Sequence, residues 1–291
     1  MAKPLTPSNV TVTYEMSEGR FGDQLMGYLH AKWISYHHGF KLLYKPFLYS
    51  DSFALHESEE LWSEEKESSF DEVVTYSQEV VLSEPEKGSR LYVIPFFSDL
   101  PEDLQYHPYW AHFPIGWEDF GFRSLLRTQF SPRKSYLEVN LPKDHITVAL
   151  HVRRGGNFDA PISYLLWPLR FAPDSYYIES LRKLTTFFPN RPLYAFIFTD
   201  DPAPHQLAAK YQTELQGLPI TIGYRHGSHV MDDFFSMMHF DCLIRTASNF
   251  SLVPSLIAGY QVVMTPKHHT WWIGDDLHVE NYIDEIHIQR N

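Results

Sequence analysis

The sequence predicts an α/β protein made of two domains or one large one, and three observations lead there. At 291 residues the chain is about twice the length of a common domain. Its second half alternates strand-like and helix-like segments, the pattern of a mostly parallel sheet with helices on both faces. Its first readable unit is a strand, a glycine turn and a helix.

In that first unit Val10, Val12 and Tyr14 alternate with Thr11 and Thr13, and the run breaks at Ser17, Gly19 and Gly22. Leu25, Met26, Leu29, Trp33 and Ile34 then recur at three- and four-residue spacing, with Asp23 near the helix start and Gly39 as its stop signal. The stretch ESEELWSEEKESSFDE, from Glu57 to Glu72, is strongly acidic and suits an exposed helix or mobile loop. Apolar runs at Glu72–Tyr76, Glu79–Leu82 and Leu91–Phe97 supply further expected strands. Beyond SPRKSYLEVNLPKD, strands are expected at Ile146–Val152, Leu193–Phe198, Ile220–Tyr224, Cys242–Thr246 and Gln261–Met264. Helices are expected between them, at Asp174–Phe187, Ala203–Gln216, Met231–Phe240 and Ser251–Ala258. A domain boundary near Ser131–Asp144 gives domains of 1–140 and 141–291.

Composition excludes several function classes. Lys+Arg 24 against Asp+Glu 36 leaves a formal charge of -12, which disfavours non-specific binding to nucleic acid or to an anionic membrane. A local basic pocket remains compatible with that balance. The single cysteine, Cys242, rules out an internal disulfide framework and any cysteine-rich metal centre. No apolar run reaches the roughly 18 residues of a transmembrane span, and the start has no apolar signal core, so the expectation is a cytoplasmic protein, with peripheral docking at a membrane left open. Aromatic residues make up 16%, a content that core packing or carbohydrate contact could absorb. Among the 16 histidines, His37-His38 and His268-His269 lack the spacing of a metal-binding helix, so no metal site is expected.

Ligands of parallel α/β sheets bind beyond the carboxyl ends of the strands, and three clusters stand at such ends. Gly19-Arg20-Phe21-Gly22-Asp23-Gln24 combines small residues with a helix start, suited to close backbone approach or simply to a turn. His151-Val152-Arg153-Arg154-Gly155-Gly156-Asn157-Phe158-Asp159 follows the strand ITVALHV. Alternation puts His151 and Arg153 on the face opposite Val148, Leu150 and Val152, and a diphosphate would accept the fixed fork of Arg153. A salt bridge from Arg153 to Asp159 or Asp200 is the structural alternative. The third cluster is Asp200 after the strand LYAFIF, Asp233 on a helix, and Ser248-Asn249-Phe250-Ser251 leading into a helix. Its hydroxyls and N–H groups suit phosphate or ribose, and a carboxylate can accept the N1–H and N2–H donors of guanine. As isolated residues, Asp200 and Ser248 read first as helix caps.

Taken in order, GRFGDQ, HVRRGG, FTDDP and MDDFFSMMHFDCLIRTASNFS resemble the α1,2/α1,6/protein O-fucosyltransferase superfamily over most of the chain, from Gly19 to Ser251. The resemblance implies a GT-B-like fold of two Rossmann-like domains facing a cleft. The N-terminal one would lie on the acceptor side and the C-terminal one would bind GDP-fucose, with metal-independent, inverting transfer to a glycan or protein hydroxyl and no other cofactor. Carried over by position, Arg153 is similar to the arginine on the β-phosphate, with His151 and Arg154 flanking it. Asp233 falls at the guanine-reading carboxylate, Ser248, Asn249, Phe250 and Ser251 at the nucleotide segment, and Gly19, Arg20, Phe21 and Gly22 at the first loop. Asp23 stands where the family has Asn, Gly156 where it has Asp, and Asn249 where Ser or Thr is commoner. Asp159 and Asp23 are the candidate bases. Two alternatives accompany this reading: a non-catalytic nucleotide-sugar-binding protein, and a glycosyltransferase using another GDP-sugar.

Overall fold

The computed structural model describes residues 9–76, 81–95, 115–156, 168–273 and 276–288. The chain divides into two compact units, Met1–Ser135 and Tyr136–Asn291, and each has its own sheet.

The strands of the first unit are β1 (Val10–Tyr14), β2 (Lys41–Tyr44), β3 (Glu60–Leu61), β4 (Glu72–Thr75) and β5 (Arg90–Ile94). All pair in parallel, in the order β3-β2-β1-β5-β4. Central β1 is buried on both faces, so its two threonines lie inside, and the Thr13 hydroxyl donates to the Leu43 carbonyl at 3.0 Å. Helix α1 (Phe21–His38) ends at Gly39, whose φ of 71° is the left-handed conformation that lets its N–H cap the Ser35 carbonyl. The core of this unit is aromatic. The Tyr28 ring on α1 lies 6.2 Å from Tyr14, 6.0 Å from Tyr44, 5.7 Å from Phe47 and 6.0 Å from Phe130. Packing of this kind consumes much of the aromatic content noted above.

The acidic stretch forms α2 (Leu55–Ser58), β3 and α3 (Glu64–Ser68), and most of its carboxylates are exposed as the composition suggests. Glu59 departs from that pattern. Its side chain is 7% exposed and accepts from Lys32 Nζ at 2.6 Å, from the Tyr28 hydroxyl at 3.2 Å and from the amide of Gln129 on α4 (Phe120–Gln129). Burial of a carboxylate is tolerated because a cation and two further donors meet it. Of the expected strand Glu79–Leu82, residues 79 and 80 lie outside the described set, and 81–82 are not strand. Residues 96 and 97 of the run Leu91–Phe97 also lie outside it.

The second unit holds β6 (Ile146–Val152), β7 (Leu193–Thr199), β8 (Ile220–Tyr224), β9 (Cys242–Ile244), β10 (Val262–Ile273) and β11 (Asp276–Ile288), in the order β11-β10-β9-β6-β7-β8. Every pair is parallel except β10 with β11. Helices α5 (Asp174–Phe187) and α6 (Pro204–Glu214) cover one face, where Val148, Leu150 and Val152 pack with Tyr177, Leu181 and Tyr211. On the other face Ala149 packs with Phe196, Phe198, Met237 and Tyr260. The two-residue alternation of ITVALHV thus divides between two cores, and all seven residues are buried. Helices α7 (Val230–Met237) and α8 (Asn249–Ile257) complete the unit.

Several bounds differ from the sequence reading. Strand β9 stops at Ile244, α7 stops at Met237, and α8 begins two residues before the expected Ser251. The expected strand Gln261–Met264 continues to Ile273 because antiparallel β11 gives it a partner for its whole length. No helix among the described residues is long and apolar enough to cross a membrane.

Candidate functional site

From β6 the chain builds outward through α5, β7, α6 and β8, then returns through α7 to place β9 on the opposite flank of β6. In open α/β sheets ligand sites lie outside the carboxyl ends of the two parallel strands between which the strand order reverses, and here those strands are β6 and β9. The residues at those two ends are His151 to Gly156 and Arg245 to Ser251.

After β6 the chain turns through Gly155 and Gly156, with φ of 81° and 51°, in the region that favours glycine. That conformation gives a backbone reason for glycine at 156, where the resembling family carries aspartate. Asp200, at the end of β7, clamps the turn by accepting the backbone N–H of Arg154 at 2.5 Å and of Gly155 at 3.1 Å. The two arginines then diverge. Arg154 pairs with Asp174, donates to the Ala172 carbonyl at 3.0 Å and reaches the Tyr211 hydroxyl at 3.4 Å. Burial opposes ionisation of Asp174, yet Lys210, Arg154 and Tyr211 together hold its carboxyl below the ordinary value. Arg153 takes the other direction, half-buried, with its guanidinium carbon 5.4 Å from the centre of the Phe171 ring.

His151 is buried at the tip of β6, and its Nδ1 lies 2.8 Å from Ser251 Oγ in the first turn of α8. Its ring centre is 5.3 Å from Phe250, which in turn is 5.8 Å from Phe234 on α7. Ser248 holds the N-cap position of α8, but its side chain makes no capping bond. Strand alternation, the glycine turn and the helix start thus bring His151, Arg153 and Ser248-Asn249-Phe250-Ser251 to one end of one sheet.

Asp233, in the first turn of α7, accepts from Arg225 Nη2 at 2.8 Å and Nε at 3.2 Å. Both side chains are 15% exposed. Burial pushes the Asp233 carboxyl up from its ordinary value, against the opposing pull of Arg225 and Ser228. Arg225 also donates to the Leu137 carbonyl at 2.7 Å.

In the first unit the strand order reverses between β1 and β5, and the Gly19 loop follows β1. A Cβ at Gly19 would meet Asp23 Oδ2 at 2.6 Å and Ser17 Oγ at 2.9 Å, so the loop closes too tightly for a side chain there. Gln24 secures it, donating to the Gly19 carbonyl at 3.0 Å while its own carbonyl accepts from Leu48 N–H at 2.8 Å. Asp23 sits in the first turn of α1, where the helix dipole favours a carboxylate. Phe21 turns inward, its ring stacked 6.0 Å from Phe53 and also packed on Phe47 and Tyr49, and so anchors the loop. Arg20 takes the N-cap position with an extended backbone.

Asn157, Phe158 and Asp159 lie outside the described residues. Sequence reading missed Arg225 and Arg245. Arg245 follows β9 as Arg153 follows β6, and the run CLIR carried that signal. No cluster of three or more potential metal ligands is found among the described residues. His37 instead stacks on Trp33 at 5.1 Å and His38 on Phe40 at 5.2 Å.

The two units, one with a parallel sheet and the other with a mostly parallel sheet, define an α/β fold of the GT-B-like kind. Among solved structures that fold is shared with Arabidopsis thaliana FUT1, determined as an arginine-to-lysine variant in complex with GDP. The similarity has a TM-score of 0.53 at 10% identity, covering 90% of this chain and 71% of that one. POFUT1 in complex with GDP-fucose matches with a TM-score of 0.47 at 11% identity, covering 87% of this chain and 94% of that one. NodZ alpha-1,6-fucosyltransferase co-crystallized with GDP matches with a TM-score of 0.45 at 12% identity, covering 95% and 99%. At these identities the likeness is one of fold. No protein-family model matches the chain, and no curated protein does.

Proposed function

We propose that the protein is a fucosyltransferase, moving fucose from GDP-fucose to a hydroxyl of a glycan or protein with inversion and without a metal. One observation carries this reading. Arg153 and the Ser248–Ser251 helix start both stand at the strand-order reversal between β6 and β9, where His151 contacts Ser251 at 2.8 Å, in a fold shared with a GDP-bound FUT1.

The acceptor oxygen attacks the anomeric carbon, the bond from that carbon to the β-phosphate oxygen breaks, and its electron pair leaves with GDP. Arg153 spans two phosphate oxygens and neutralises the growing charge, while the N–H groups opening α8 act on the same diphosphate. Asp233 accepts the guanine N1–H and N2–H, and Arg225 keeps that carboxylate ionised. Asp200 acts through the turn it clamps, and Arg154 through its anchorage on Asp174. The hydroxyl proton passes to Asp159.

The test is incubation with radiolabelled GDP-fucose, scored for fucose released to water, beside a panel of other GDP-sugars. Release from GDP-fucose above the other donors is the expected result. Release from a different GDP-sugar would reassign the donor, and tight GDP binding with no release from any would make the protein a non-catalytic binder.

A further inference from the structure

Arg245 follows the last residue of β9 and is 8% exposed. Its backbone is fixed on both sides: the N–H donates to the Met264 carbonyl at 2.9 Å, and its carbonyl accepts the Tyr176 hydroxyl at 2.9 Å. The guanidinium reaches into the first turn of α8, with Nη2 donating to the Ser248 carbonyl at 2.9 Å and Nε to Ser251 Oγ at 3.4 Å. Ser251 Oγ is therefore a meeting point between Arg245 from β9 and His151 from β6.

A serine hydroxyl has one hydrogen and two lone pairs, whereas a guanidinium can only donate. Arg245 Nε, at 3.4 Å a long contact, can approach Ser251 Oγ only on a lone-pair side, which leaves the hydroxyl hydrogen to be placed. One acceptor is His151 Nδ1 at 2.8 Å; the other is the Ser248 carbonyl at 3.3 Å. The second distance exceeds the usual range for a hydroxyl donor, whereas the first is that of a well-formed bond. The hydrogen goes to His151 Nδ1. A neutral imidazole that accepts at Nδ1 carries its own proton on Nε2.

We propose that Arg245 is a positioning residue which, through Ser251, holds His151 in the Nε2–H tautomer, so that His151 serves the nucleotide diphosphate as a hydrogen-bond donor and not as a proton acceptor. The tautomer follows from geometry within the second unit, while the destination of the Nε2 proton rests on the donor-site reading given above. Arg245 also holds the Ser248 carbonyl, and so keeps the opening turn of α8 in place around the same anion.

The experiment is a long-range ¹H–¹⁵N correlation spectrum of ligand-free protein labelled with ¹⁵N-histidine, with the His151 signals identified by their loss in His151→Gln. The wild type should show the Nε2–H pattern. Ser251→Ala should give a mixture of tautomers, and so should Arg245→Met, while Arg245→Lys should restore part of the wild-type pattern. By calorimetry Arg245→Met should weaken GDP binding about tenfold, the loss expected for one hydrogen bond to the anion. A wild-type spectrum with the proton on Nδ1 overturns the proposal, as does a folded Arg245→Met whose histidine pattern is unchanged. Should Arg245→Met fail to fold, the wild-type and Ser251→Ala spectra decide the matter. Wild-type protein that binds no GDP would remove the donor-site reading and the role given to the Nε2 proton, and leave the tautomer assignment standing.

Discussion

At Arg153 and Arg154 two adjacent identical side chains have opposite surroundings, and replacing each by lysine separates chemistry from architecture. Arg153→Lys keeps the charge and loses the planar two-pronged contact, so it should cost at least ~10² in kcat/KM, about 2.7 kcal/mol of transition-state stabilisation, with an unchanged Tm. Arg154→Lys should lower Tm through its link to Asp174 and change turnover less. Steady-state kinetics with thermal melts of both variants checks this, and a more damaging Arg154→Lys would displace the leaving-group site from Arg153. Asp233 carries a second expectation, that GDP binds more tightly than UDP. Because burial raises its carboxyl, protonation on acidification begins above the ordinary carboxylate range, and GDP affinity should fall there while UDP affinity holds. Calorimetry of both nucleotides across pH 4–7 tests it; equal affinities throughout would remove the guanine assignment. Arg153 was legible because strand alternation is a local rule with a definite phase. The Arg225–Asp233 pair was not, since nothing in the chain between a loop arginine and a helical aspartate says that they will be buried together.

Among the elements, α1 has a buried histidine that couples its stability to pH. Burial pushes the His30 imidazole down to about 3, well below its ordinary 6.5. Between those values the unfolded chain binds a proton that the folded one excludes, so stability should fall as pH drops from 6.5 toward 3. Urea midpoints at pH 7 and pH 5 should therefore differ more for the wild type than for His30→Leu; equal differences would sink the idea. The β10–β11 ribbon shows where a period-two reading fails. In β11 the apolar positions run Leu277, Val279, Ile283 and then Ile286, Ile288, so the alternation changes phase midway. The strand register shifts between Thr265 and Pro266, and Asp284 is the extra residue, so the break in pattern marks a bulge inside one continuous strand. By contrast β6, β8 and α5 were legible to the residue, because each combines a clean apolar period with proline, glycine or acidic boundaries.

For the whole molecule, the proposed donor site asks a chain of charge -12 to concentrate cations where a diphosphate would sit, and the tips of β6 and β9 carry Arg153 and Arg245. If these arginines and the start of α8 supply all the leaving-group stabilisation, fucose transfer should survive EDTA at full rate. Loss with EDTA and restoration by Mn²⁺ would show that a metal shares the work. The reversal of strand order between β6 and β9 has a kinetic consequence as well. Strands β6, β7 and β8 follow one another in sequence, each joined to the next through a helix, whereas β9 must find β6 across a separation of 94 residues, the span bridged by the Thr147–Asp241 contact. Closing so long a loop delays that pairing until the neighbouring strands have assembled. The junction of β6 with β9 should then be the last part of its sheet to form, its contacts still absent at the folding barrier. Leu243→Ala, which weakens β9, should speed unfolding and leave the refolding rate nearly unchanged. Stopped-flow chevrons would reveal this, and a variant that slowed refolding instead would place β9 in the nucleus.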